Sequence, residues 1–166
     1  MLNKIVNIVL LIACLCFIVS GSVYVTKEVQ RRQAVASSPR IEIGQTLSVP
    51  ETLGKTTLIM ELWDKCPHCV ANEPLYRKLS SLRQISDGSV QVVAVVQAET
   101  EQTAKDFMAK SSIPGKLVIS LPGQKLPLPW IGTPTLLLLD TTGKVVRKWY
   151  GELTEAEAQE FLSNFQ

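Results

Sequence analysis

A single histidine, four cysteines and no basic block beyond Arg31-Arg32 limit what this 166-residue sequence can do. Its formal net charge is +2, with Lys and Arg scattered among Asp and Glu. That excludes the concentrated positive face nucleic-acid binding requires. One histidine removes most metal-ligating and acid–base constellations. The cysteines form two pairs, Cys14 with Cys16 and Cys66 with Cys69, leaving none for a structural disulfide network. No internal repeat or low-complexity tract is present. The length leaves room for one domain with a real core behind an apolar leader.

The leader, which holds Cys14 and Cys16, carries no charge from Ile5 to Val25. At about 1.5 Å per residue such a run crosses a hydrocarbon core of about 30 Å. Residues 1–26 therefore read as a single transmembrane helix acting as a signal-anchor, 27–42 as a polar linker and 43–166 as the domain. Ala34-Val35-Ala36 resembles a signal-peptidase site but lies past the apolar run, behind charged residues. Leu11-Ile12-Ala13-Cys14 resembles a lipoprotein box, yet the chain stays apolar well beyond it. The uncleaved anchor is the simpler reading. More Lys and Arg follow the span than precede it, which favours a cytoplasmic domain by the positive-inside tendency. A tethered dithiol has its use where disulfides persist, so the expectation is a bacterial cytoplasmic membrane with the domain facing the periplasm or outside.

In the body, Thr56–Leu62 and Val90–Val96 read as buried strands rich in β-branched and leucine side chains. Between them a helix opens at Pro67, runs through Leu75, Leu79 and Leu82 on one apolar face, kinks at Pro74 and stops at Asp87-Gly88. A second helix spans Glu101–Ser111, followed by a short apolar stretch at Leu117–Ser120. Thr135–Asp140 and Lys144–Tyr150 form a hairpin through Gly143. Thr154 and Glu157 make a capping box ahead of Phe161, Leu162 and Phe165, so a last helix begins there. The order βαβαββα gives an α/β fold, a central mixed sheet flanked by helices.

Cys66-Pro67-His68-Cys69 stands where the first strand meets its helix. Unpaired N–H groups there favour a thiolate at Cys66, the nucleophile. Cys69 lies one turn later on the same side, placed to attack a mixed disulfide at Cys66. His68 is expected to lower the Cys66 pKa further, by charge or hydrogen bonding. A haem attachment site needs histidine where Val70 stands, and a zinc site needs more ligands than the chain carries. No metal and no cofactor are expected.

The dithiol followed by Pro74, with Gly132-Thr133-Pro134-Thr135, Leu139-Asp140, Gly143, Val145 and Gly151 at matching spacings, resembles the thioredoxin superfamily, specifically its membrane-tethered TlpA/DsbE-like (redoxin) branch. The resemblance runs from about Ile43 to the C-terminus. It implies a thioredoxin-like fold, a cis Pro134 facing the dithiol, and Thr133 offering backbone pairing to a substrate segment. It also implies thiol-disulfide exchange with protein substrates outside the cytoplasm and with a membrane or soluble redox partner. Trp63 and Trp130 are expected in the substrate groove.

The sequence departs from that branch before and after the dithiol. Trp63-Asp64-Lys65 replaces the usual Trp-x-x-Trp, and Asn72 stands where an acid is usual. With one residue deleted, Glu61 falls where thioredoxins keep a buried acid serving the resolving cysteine; Glu73 is a weaker substitute for the acid missing at 72. Pro67-His68 resembles the dipeptide of the DsbA oxidases, whereas Thr133 before the proline looks more like the reductive or isomerising branches, so direction stays open. The alternative function is a copper-site assembly chaperone using the same two thiols. A peroxidase would need a Thr-x-x-Cys signature that is absent.

Overall fold

The apolar runs pair as a five-stranded sheet in the order β3-β2-β1-β4-β5. The structure, a computed structural model, describes residues 41–47, 49, 54–124 and 132–166, all within a compact unit that begins at Pro39. Strand β1 (Thr57–Trp63) lies between β2 (Gln91–Gln97), to which it is parallel, and β4 (Thr135–Leu139), to which it is antiparallel. Strand β3 (Lys116–Ser120) extends the parallel side and β5 (Val145–Tyr150) the antiparallel side. The mixed sheet with its helices is the expected fold class.

Side-chain alternation divides the core in two. Leu58, Met60 and Leu62 of β1 face one cluster with Val92, Ala94, Val96, Leu136 and Leu138. Ile59 faces the other with Val93, Val95, Leu137, Leu139 and Val145. Every described helix contributes to the first cluster. The strand order steps one way from β1 through β2 to β3, and right-handed crossovers taken in one direction put both connecting helices on the same face. The last helix, α5 (Glu155–Ser163), reaches that face through Phe161 and through Phe165 just beyond its end, with Trp149 edge-on to Phe161 at 4.9 Å between centroids. Thr154 caps it, and the Glu157 carboxylate accepts from the Thr154 N–H in return.

Two elements differ from the sequence reading. The single kinked helix is three pieces, α1 (Pro67–Ala71), α2 (Glu73–Ser80) and α3 (Arg83–Ser86). Pro74 has no N–H for an i−4 bond, so the helix stops at Asn72 and restarts with the proline in its first turn. Leu82 is extended, at φ −73° and ψ 143°, and packs against the core before α3 begins. The stretch 117–120 belongs to strand β3, making the order βαβαβββα when the helical pieces after β1 count as one. Ahead of β3, Gly115 has φ +94°, and a Cβ there would lie 2.3 Å from the Val92 carbonyl oxygen, so only glycine allows the approach. Between β2 and β3, α4 (Glu101–Lys110) starts at Thr100, whose capping box uses Thr103.

The second cluster has no described helix over it. Ile41, Leu47 and Val49 cover it instead, Ile41 with no exposed surface. The packed domain thus includes Ile41, which the sequence assigns to the linker. The segment is tied to the opposite end of the chain: the Gly44 N–H donates to the Val145 carbonyl, and the Lys148 ammonium donates to the Ile41 carbonyl. Among the described residues no helix is long and apolar enough to cross a membrane. The leader on which the transmembrane expectation rests, with Cys14 and Cys16, lies outside them.

Candidate active site

Strand β1 ends at Trp63, a tight turn follows in which the Cys66 N–H donates to the Trp63 carbonyl, and Cys66 caps α1. Pro67 occupies the first helical turn, where its missing N–H costs nothing. The Cys66 carbonyl accepts from the N–H groups of Cys69 and Val70, which folds the two sulfurs onto one side. Both cysteines are free thiols, Cys66 with 4% of its surface exposed and Cys69 with none.

The loop before β4 closes over this turn. The Thr133–Pro134 peptide bond is cis, and the Cys66 thiol donates to the Thr133 carbonyl at 3.2 Å. The Gly151 N–H donates to the Pro134 carbonyl, and the Asn72 side chain bridges back from α1, donating to the Gly151 carbonyl at 3.1 Å and accepting from the Leu153 N–H at 3.2 Å. Gly151 thus ties the proline loop to the dithiol helix. Asn72, where the resemblance places an acid, is buried at 4% exposure and its amide supplies the donor and the acceptor that this bridge needs.

Electrostatics separate the sulfurs. Burial opposes ionisation of Cys66, but hydrogen bonding by Thr133 and Cys69 and by the main-chain N–H groups of Cys69 and His68 outweighs it, so this thiol titrates below its ordinary value. A five-residue helix carries little dipole, and these local donors take its place. Burial pushes the Cys69 thiol up to about 12. Cys66 is thus the more exposed and more readily ionised of the two thiols, and Cys69 the one held protonated.

His68 gives Cys66 its main-chain N–H, while its imidazole Nδ1 lies 3.3 Å from Glu152 Oε2. Glu61 is buried at 1% exposure, in register with Val95 and Thr135 on the face of β1 opposite Leu62, whose cluster holds the two cysteines. Glu73 accepts from the Ser111 hydroxyl and pairs with Arg77, joining α2 to the end of α4. Trp63 stands 39% exposed beside the turn; Trp130 lies outside the described residues. Among the described residues no group of three His, Cys, Asp or Glu could hold a metal ion.

No protein-family model matches the sequence. No curated protein matches it significantly. Solved structures do. The chain is similar to the thioredoxin domain of a thiol-disulfide oxidoreductase from Bacteroides vulgatus, with TM-score 0.59 and 17% identity over 76% of this chain and 99% of that one. StoA from Bacillus subtilis gives TM-score 0.54 and 21% identity over 75% of this chain and 96% of that one. A secreted disulfide oxidoreductase from Mycobacterium tuberculosis, described as homologous to DsbE of E. coli, gives TM-score 0.54 and 15% identity over 74% and 95%. The chain therefore has the thioredoxin-like α/β fold, and its domain is similar to almost the full length of these oxidoreductase domains.

Proposed function

We propose that this chain is a membrane-tethered thiol-disulfide oxidoreductase that exchanges disulfides with extracytoplasmic protein substrates through Cys66 and Cys69. The observation that carries the reading is the opposed acidity of two thiols one helical turn apart, beside the cis Thr133–Pro134 bond. The Cys66 thiolate attacks one sulfur of a substrate disulfide, forming a mixed disulfide while the other substrate sulfur leaves as thiolate and takes up a proton. Cys69 then loses its proton and attacks Cys66 Sγ, expelling the second substrate thiolate. The substrate gains two electrons and the protein holds the Cys66–Cys69 disulfide, which a dithiol partner reduces. Run backwards, the same steps oxidise a substrate.

The tether and the outward-facing domain rest on the uncharged run from Ile5 to Val25 and on where disulfides persist. The test uses the full-length chain in detergent with insulin as disulfide. The wild type accelerates its reduction by dithiothreitol, Cys66→Ser does not, and Cys69→Ser, mixed with insulin without added thiol, accumulates a mixed disulfide. Equal activity of wild type and Cys66→Ser would end the reading. Resistance to alkaline extraction, with protease access from outside in spheroplasts, tests the tether and its orientation.

A further inference from the structure

Two basic side chains flank the nucleophile in sequence, Lys65 immediately before it and His68 two residues after it. Either would acidify Cys66 if its charge faced the sulfur. Each is instead engaged by a carboxylate brought from a distant part of the chain. The Lys65 ammonium donates to Glu99, just beyond β2 and 34 positions away. The His68 imidazole meets Glu152, just beyond β5 and 84 positions away. Asp64 adjoins Lys65 and adds to its stabilisation, and Glu73 is already engaged by Ser111 and Arg77.

We propose that Glu99 and Glu152 are positioning residues for disulfide exchange, each holding one flanking cation so that its charge is withheld from Cys66. This rests on the oxidoreductase reading above and adds a direction to it. The side chains of all four residues are more than half exposed. Pairs of that kind contribute little to folding, so removing them changes the charge around the sulfur and leaves the fold standing. The groups that do lower Cys66 are Thr133, Cys69 and main-chain N–H groups, with no side-chain cation foremost among them. A thiolate held by hydrogen bonds and denied two neighbouring positive charges is less stabilised. The disulfide is correspondingly less oxidising, and the protein sits toward the reducing end of the scale.

The test measures alkylation of Cys66 by iodoacetamide, a neutral probe, in the reduced full-length chain at low ionic strength. Glu99→Gln at pH 7 and Glu152→Gln in mildly acidic buffer each raise the rate about 2- to 5-fold, the effect of one surface charge at close range. The gain disappears in 1 M salt. Adding Lys65→Gln to the first variant and His68→Gln to the second restores the original rate. Lys65→Gln alone, which leaves Glu99 uncompensated, slows the reaction by a similar factor and gives the result independently of the carboxylate variants. Unchanged rates in both carboxylate variants, or gains that persist once the cation is removed, overturn the proposal. The oxidoreductase reading fails separately, if the wild type does not exchange disulfides, because alkylation needs no exchange.

Discussion

Two sulfurs three residues apart are driven in opposite directions by their surroundings. Cys66 caps a helix and meets several donors; Cys69 points into a cluster of leucine and aromatic side chains. At neutral pH a brief exposure to iodoacetamide should therefore modify Cys66 and spare Cys69, which reacts only after unfolding in urea, as mapped by mass spectrometry of the tryptic peptide that holds both. Equal labelling of both in the native protein would contradict the assigned roles. Spacing alone made this pair legible, because two cysteines one turn apart at a strand end admit few other uses. The partners of the residues around them were not legible. Asn72 meets Gly151 and Leu153, and His68 meets Glu152, across roughly eighty positions that no local pattern links. Glu61 shows the limit of a matched position: strand alternation turns it to the face opposite Leu62.

At the level of elements, sequence signals were clear where they were local and strong. The Thr154–Glu157 box set the start of α5, and the leucine and valine runs set β1, β2 and β4 to within a residue or so. Strand β3 escaped because five residues, mostly half-buried at a sheet edge, show neither clean alternation nor a full apolar run. The Thr100 box escaped because its return bond comes from Thr103 rather than a Glu or Gln. The break at Asn72 has an energetic consequence. Asn72→Ala would leave the half-buried Gly151 carbonyl and Leu153 N–H without their side-chain partner, which costs about 1 kcal/mol for each bond lost. Urea unfolding should show a lower midpoint with an unchanged slope. A midpoint equal to the wild type would mean that the bridge does not hold the hairpin end against α1.

For the whole molecule, ionisation couples to stability. In the folded, reduced protein Cys69 keeps its proton up to about pH 12, whereas the unfolded chain begins to lose it near the ordinary 9.0. Above pH 9 the unfolded state therefore binds fewer protons, and folding stability falls as pH rises. Cys66 acts the other way: its lowered value adds stability above 9.0 that is lost as pH falls through the folded value. Of the two cysteines only Cys69 is displaced far, so it outweighs Cys66, and Tyr76, also pushed up by burial, acts in the same sense in every variant. Between pH 9 and 11 the reduced wild type should lose more stability than Cys69→Ser by chemical denaturation; parallel curves would refute this. The covering of the second cluster bears on how the protein is made. Ile41, Gly44 and Leu47 emerge from the ribosome well before their partners Lys148, Val145 and Gly143 are translated. That side of the sheet has to stay open until the β4–β5 hairpin is made, and the hairpin, once released, closes a long loop and buries what a nascent chain leaves bare to chaperones.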